Sequence, residues 1–587
     1  MHATHRFCLL VFLATCLGRL LELPTLARTA EPPKGEVLKF TFNKSRIYPG
    51  TAREYSVYIP AQYNPARPAC VYVNQDGVQY NAPAVFDALI NAGEMPITIG
   101  IFVSPGRVPA ARETALDRFN RSLEYDTLSP AYARFLLEEL LPDVESRKTG
   151  DGRAIQLSKK PEDRAIGGAS SGAICAFTVA WERPDAFRRV FSAVGTYVGI
   201  HGGNMYPTLV RKTEPKPLRI FLQDGSNDLN VNRGDWWMAN QELERALVFA
   251  GYEVEHRWGE GGHDVKQATE VFPEAMRWLW KGWPESPRAG AGSPQFQAIC
   301  EPGTRWQRVS EARDRSFDVT GLACDPEGAV VFADNAEGRL FRIDPDGALD
   351  DLFVQRVTGS GELAFGPDGS LYMARLEIPV GLYRFSKDAE EPEETSADWP
   401  RDRNFAFSDV TVDHTGRVYV ADYGDPSNRV IRVIDPFKPR REFKIAAIEP
   451  RGVVLSPDQS ILYVTDAASH WIWSYIVQED GSLVYGQKFT HLHVPDSQED
   501  ADARGLAVDQ DGRLYVGTNM GIQVCDPAGR ADCIIPGPAG SVSLVTFGGK
   551  ERNMLYAVSG GVLYRRPVKV KGAEGLDPPS KPPTPRL

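Results

Sequence analysis

Apolar and polar positions change rhythm once along this chain. Between Leu38 and Trp283, short apolar runs alternate with stretches of helical period. "YSVYIP" (55–60), "CVYVNQ" (70–75), "ITIGIFV" (97–103) and "LRIFLQ" (218–223) have the length and β-branched character of buried strands. "AYARFLLEELLPDV" (131–144) and "DWWMANQELERALVFA" (235–250) repeat apolar residues at helical spacing. Such alternation predicts a mostly parallel sheet with helices on both faces over 38–283, an α/β class domain. "WPESPRAGAGSPQ" reads as a linker, set at 284–299. Beyond it the period falls to two. "CDPEGAVVFAD", "FGPDGSLYMAR", "VDHTGRVYVAD", "LSPDQSILYVTD" and "VDQDGRLYVGT" are one motif five times: strand end, tight turn, alternating strand. Their starts are spaced by 41, 47, 43 and 53 residues, and "FGGKERNMLYAVSG" is a degenerate sixth copy. Repeats of this period made only of strands and turns predict a six-bladed β-propeller over 300–570. The proline-rich end, 571–587, reads as a disordered tail.

Composition narrows the setting. The 587 residues are 42% hydrophobic and 24% charged, as in ordinary globular proteins, and the net charge of −11 argues against a nucleic-acid partner. His5 and Arg6 precede the apolar run "FCLLVFLATCLG", and Thr25-Leu26-Ala27 offers small residues for cleavage. Residues 1–30 are therefore expected to be a signal peptide of a secreted or periplasmic protein. A lipoprotein acylated at Cys16 is the lesser alternative, since Thr15 fits that signal poorly. No later segment is apolar enough to span a membrane. Of the eight cysteines, two lie in the leader and the rest show no metal-ligand spacing. Cys70 and Cys175 look like core fillers, and Cys525 and Cys533 are candidates to bridge a hairpin in an oxidising compartment.

The chemistry gathers in the first half. "AIGGASSGAICA" (165–176) crowds small residues around two serines, and Gly168-Ala169-Ser170-Ser171-Gly172 fits a nucleophile elbow with Ser170 at its apex. An α/β-hydrolase then needs an acid and a histidine, in that order. "DGSND" follows the strand "LRIFLQ" and offers Asp228, with Asp224 as the alternative. "EGGHDVK" places His263 on a glycine-rich loop, whereas His256 falls in mid-strand. A serine hydroxyl needs a base, here His263, and a carboxylate to hold the imidazole. The oxyanion needs backbone N–H groups, for which Ser171 and the turn at Gly77 and Val78 are candidates.

With "QDG" at 75–77, "GGASSGA", "DGSND" and "GGHD" in this order, the domain resembles the esterase D and enterochelin esterase group of α/β-hydrolases. That resemblance implies Ser170 as nucleophile, Asp228 as acid, His263 as base, and no cofactor. It leaves the substrate open: a small-molecule or saccharide ester.

The repeats "GLACDPEGAVVFAD" and "PRGVVLSPDQSILYVTD" resemble the gluconolactonase/regucalcin propellers, which implies a divalent metal in the central channel held by Glu, Asn and Asp. At the corresponding positions this chain has Thr320, Ser408, Arg451 and Arg504. Glu362, Asp409 or Asp502 would have to supply a shifted site. Two arginines without paired carboxylates would make a positive funnel for an anion such as an acidic sugar, with no metal bound. Three readings follow: a serine esterase with a ligand-binding propeller, a bifunctional esterase and metal-dependent lactonase, and a non-catalytic carbohydrate-binding or interaction protein.

Overall fold

The computed structural model describes residues 32–309, 317–336, 338–353, 360–375, 380–386, 392–396, 406–427, 429–435, 441–447 and 449–585. The expected signal peptide lies outside the described residues. No described helix is long and apolar enough to cross a membrane.

Eight strands build the first sheet: β1 (Glu36–Phe42), β2 (Arg53–Ile59), β3 (Cys70–Gln75), β4 (Thr98–Val103), β5 (Arg164–Ala169), β6 (Arg189–Ala193), β7 (Arg219–Gly225) and β8 (Glu253–Gly259). Their order is β1-β2-β4-β3-β5-β6-β7-β8. β1 and β2 pair antiparallel, as do β2 and β4, and the remaining neighbours run parallel. β3 to β6 are buried along their whole length, which is why they read as continuous apolar runs. Alternate residues serve two cores. Val71, Val73 and Ile166 face one layer of helices, with α2 (Ser171–Glu182) and α3 (Trp236–Phe249), and Tyr72, Phe191 and Phe221 face the other, with α1 (Ala82–Asn91) and α4 (Lys266–Trp280). The chain leaves β3 toward β4 on one side and returns to β5 on the other. Beyond the carboxyl ends of β3 and β5 this reversal opens the crevice where sites in such sheets form.

The second half closes six four-stranded blades, the fifth with one extra inner strand. The repeated turns have a local cause. Asp325, Asp413, Asp509 and Asp526 each accept N–H bonds from the residues two and four positions on. The glycine three positions on has φ between 81° and 90° in all four turns. In "LSPDQS" Gln459 takes that conformation instead, at φ 56°, and Ser456 Oγ replaces the carboxylate as acceptor. The degenerate sixth copy forms strands Leu544–Gly548 and Met554–Ser559. Its blade is completed by Gln307–Arg308, which pair with Arg565 and Tyr564.

Three expectations need correction. The span 284–299 is not all linker: α5 (Pro294–Ile299) is capped by Ser293 and buries Phe296 and Ile299 against the propeller. Of the expected tail at 571–587, the residues from Gly572 to Ser580 are tied to the propeller. Gly572 and Ala573 pair with Asp509 and Val508, Gln459 donates to Gly575 O and Asp577 O, and Ser580 N–H donates to Pro457 O. Cys525 and Cys533 do not bridge. Their strands pair out of step (Cys525 opposite Ala531, Cys533 opposite Val524), so the two thiols face different cores and remain free.

The halves are joined by polar contacts. Arg566, buried in the propeller, grips Glu214 of the first domain through both guanidinium NH₂ groups at 2.8 and 2.9 Å. Glu214 N–H donates to Ile534 O, and Lys212 Nζ lies 3.1 Å from His493 Nε2.

Candidate active site

Ser170 stands between β5 and helix α2 (Ser171–Glu182) with φ 57° and ψ −124°, a strained conformation for a residue with a side chain. The small neighbours have a steric cause. A Cβ on Gly168 would lie 2.5 Å from the Gly172 backbone, and one on Gly167 would strike the Tyr72 hydroxyl at 2.4 Å. Ser170 N–H donates to Ala193 O, which fixes the turn to β6.

Asp228 and His263 arrive on two loops that pack backbone to backbone. Gly225, ending β7, touches Gly261, and Asn227 N–H donates to Gly261 O. Asn227 Nδ2 also donates to Glu260 O. This contact sets Asp228 Oδ1 2.6 Å from His263 Nδ1, and His263 Nε2 2.8 Å from Ser170 Oγ. The Asp228 carboxyl is held below its ordinary range. Burial opposes this, but the His263 imidazole, the neighbouring Asp224 carboxyl and the Leu229 N–H outweigh it. His256 stacks on Trp258 instead and takes no part.

Thr196 was not singled out by any motif. Its Oγ1 lies 3.2 Å from Ser170 Oγ and accepts from Trp236 Nε1 at 3.3 Å. Trp236 is buried and meets the His263 ring edge-on. The bonds can therefore run in one direction: Trp236 to Thr196, Thr196 to Ser170, Ser170 to His263, His263 to Asp228, each hydroxyl accepting once and donating once.

The propeller channel differs from expectation. The inner strands carry β-bulges beside Thr320, Glu362, Ser408 and Arg451. The lining includes Glu362, Asp409 and, from the chain end, Glu574, but neither arginine. Arg451 Nε donates to Glu449 at 2.9 Å and lies over Tyr423, and Arg504 Nε donates to Asp502 at 2.9 Å. Each arginine has a carboxylate two residues back on its own edge, so the unpaired positive funnel does not form. Ser408 Oγ donates to Pro450 O. Asp409 accepts the Val410 and Val453 N–H groups, one on each oxygen, at 2.7 Å. Burial pushes its carboxyl up to about 7, and pushes that of Glu362, beside Asp409, well above its ordinary range. The donor set fits a divalent ion poorly. No group of three metal-capable side chains occurs among the described residues, and both oxygens of Asp409 already hold backbone hydrogens.

Comparison with known proteins separates the halves. Residues 48–279 match the family described as "Putative esterase". The first half is an esterase-family domain. Residues 379–561 match the SMP-30/Gluconolactonase/LRE-like region. The iron(III) enterobactin esterase of Dickeya dadantii (strain 3937) is 27% identical over 252 residues, 40% of this chain and 51% of that protein. Lactonase drp35 of Staphylococcus aureus (strain MRSA252) is 21% identical over 219 residues, 36% of this chain and 65% of that protein. The chain thus spans between half and two thirds of these relatives. Among solved structures, the gluconolactonase from Xanthomonas campestris is similar at 22% identity and a TM-score of 0.40, covering 47% of this chain and 92% of its own.

In the first domain the expected oxyanion donors need one correction. Gly77 N–H is spent on Val103 O at 3.1 Å. The Val78 N–H finds no acceptor among the described residues, and Val78 is partly exposed beside the crevice. Ser171, the first residue of α2, places the other N–H at the positive end of a twelve-residue helix. Asp76 approaches Gly172 from the same turn and is clamped by Arg121 through two hydrogen bonds at 2.9 and 2.8 Å.

Proposed function

We propose that this protein is an exported serine carboxylic-ester hydrolase working through an acyl-enzyme, with the propeller as a ligand-binding module. The observation that carries this reading is the unbroken contact from Ser170 Oγ through His263 to Asp228, with Ser170 on a strained turn. His263 takes the Ser170 proton as the hydroxyl attacks the ester carbonyl. Asp228 holds the imidazole in the needed tautomer and stabilises the imidazolium. The Ser171 and Val78 N–H groups meet the oxyanion. His263 then protonates the leaving alkoxide, and a water repeats the sequence on the acyl group. The apolar run at 7–18 supports export, with a lipoprotein as the lesser alternative. For the propeller, the committed oxygens of Asp409 favour binding without metal over lactone hydrolysis.

A fluorophosphonate probe and a panel of p-nitrophenyl, feruloyl and acetyl-sugar esters test this, each with and without EDTA. Ser170→Ala should abolish labelling and lower kcat about 10⁴-fold or more while the protein stays folded. Undiminished turnover in folded Ser170→Ala would refute the reading. EDTA-sensitive lactone hydrolysis by the full chain would restore the bifunctional alternative.

A further inference from the structure

Asp224 is the penultimate residue of β7, four residues before Asp228, and it is fully buried. Its two oxygens accept from Gly225 N–H at 2.7 Å and from Asn240 Nδ2, on α3 (Trp236–Phe249), at 2.8 Å. The environment of Asp228 is lopsided. Oδ1 takes both the His263 Nδ1–H and the Leu229 N–H, each at 2.6 Å. Oδ2 is buried and meets no N–H or hydroxyl donor among the described residues. Beside it stands the Asp224 carboxyl, at the end of the strand that leads to Asp228, and the two carboxyls act on one another. Two ionised carboxylates side by side out of water would repel, and a buried acceptor without a donor is costly. A single proton between them relieves both conditions.

We propose that Asp224 is a positioning residue: it carries a proton and donates it to Asp228 Oδ2, so that Asp228 is held at both oxygens with Oδ1 turned to His263. The proposal rests on the reading of Ser170, His263 and Asp228 given above. The two carboxyls divide the work of one site. Asp224 is the neutral donor, Asp228 the ionised acceptor, and the donor chain that starts at Trp236 ends at an oxygen pair bonded on each side. Burial, with Asp228 second, pushes the Asp224 carboxyl up to about 9. The titratable groups facing the pair are the two carboxyls themselves and His263. α3 offers the neutral Asn240, and β8 pairs Trp258 with Asp224.

Three variants of the full chain test this. Asp224→Leu removes the donor and should lower kcat about 100-fold with KM little changed, as loss of a group orienting a reacting residue does. Asp224→Asn keeps an N–H₂ donor and should recover at least tenfold of that loss. Asp228→Asn should cost several orders of magnitude. Wild-type activity should also fall above about pH 9, where Asp224 ionises, and Asp224→Asn should lack that limb. Infrared spectroscopy of the folded protein gives a readout free of turnover: the C=O stretch of a buried carboxylic acid at neutral pH, absent in Asp224→Asn. Equal loss in the Asn and Leu variants, no loss in Leu, or no such band in the wild type would each overturn the proposal. A wild type that hydrolyses no ester and takes no phosphonate would sink the esterase reading, while the band would still decide the protonation of Asp224.

Discussion

The contact between Gly225 and Gly261 offers a way to disturb the site without touching a reacting group. A Cβ added at Gly225 would lie 2.1 Å from Gly261 O and 2.5 Å from its N, both backbone atoms that cannot swing aside. Gly225 has no left-handed φ, so alanine costs no backbone strain there and the effect is one of space alone. An ordinary carbon–oxygen contact needs about 3.2 Å, so the two loops must part by roughly 1 Å. The 2.6 Å bond between Asp228 and His263 spans those same loops. Stretched by that amount it ceases to be a hydrogen bond. A misplacement of about 1 Å at a reacting centre costs on the order of 100-fold in rate, or about 2.7 kcal/mol of barrier. Overpacking should add about 1–3 kcal/mol of lost stability. Gly225→Ala should therefore lower kcat for a p-nitrophenyl ester and the phosphonate labelling rate together, with KM little changed. Thermal unfolding of the same samples separates misalignment from global loss of fold. A Gly225→Ala protein with kcat within about threefold of wild type would show that this contact does not set the alignment.

Two further outcomes are expected. Glu214→Ala leaves the buried Arg566 guanidinium without its carboxylate and should cost about 3 kcal/mol at the domain junction, read as splitting of the calorimetric transition and faster proteolysis between 283 and 300. Glu574 is pushed up to about 7 by burial, with Arg552 opposing and Asp577 adding. Between its ordinary 4.5 and about 7 the folded form holds a proton that the unfolded chain has lost, so its contribution to stability falls as pH rises through that window and levels off above it. Glu574→Gln should remove that part of the slope when melting is followed from pH 4 to 8, and an unchanged slope would refute the assignment.

The broad plan was legible because it rests on period. Runs such as Cys70–Gln75 are apolar on both faces, and the propeller turns repeat an aspartate and a glycine three residues apart. The elbow, "DGSND" and "GGHD" were legible because loops that present side chains need glycine where backbones touch. What escaped depends on neighbours far along the chain. Gly77 is lost as a donor only because Val103 on the adjacent strand takes its N–H. Thr196 reaches Ser170 through the fold of the segment after β6, and "AVGTYVG" carries no signature of that. The pairing of Arg451 and Arg504 could have been read, since Glu449 and Asp502 stand two residues earlier, within reach of a guanidinium. Proline-rich composition argues against a helix after 570, yet it does not exclude a segment tied down by strand pairing and hydrogen bonds, as residues 572–580 are.

Gln307 and Arg308 leave the junction with the first domain and become the outer strand of the last blade, bonded to residues made only after the other five blades. Such a ring is a clasp whose two parts emerge from the ribosome at opposite times. The first part must wait, with its N–H and C=O groups unpaired, while every other blade is made. Closure is the contact of longest sequence separation in this blade, and the entropy of bringing its ends together falls on the last step. Until then the final blade presents an open edge, the surface on which strands from a second chain would add. For this protein the hazard of aggregation is thus greatest during folding, and it ends when two residues find their place.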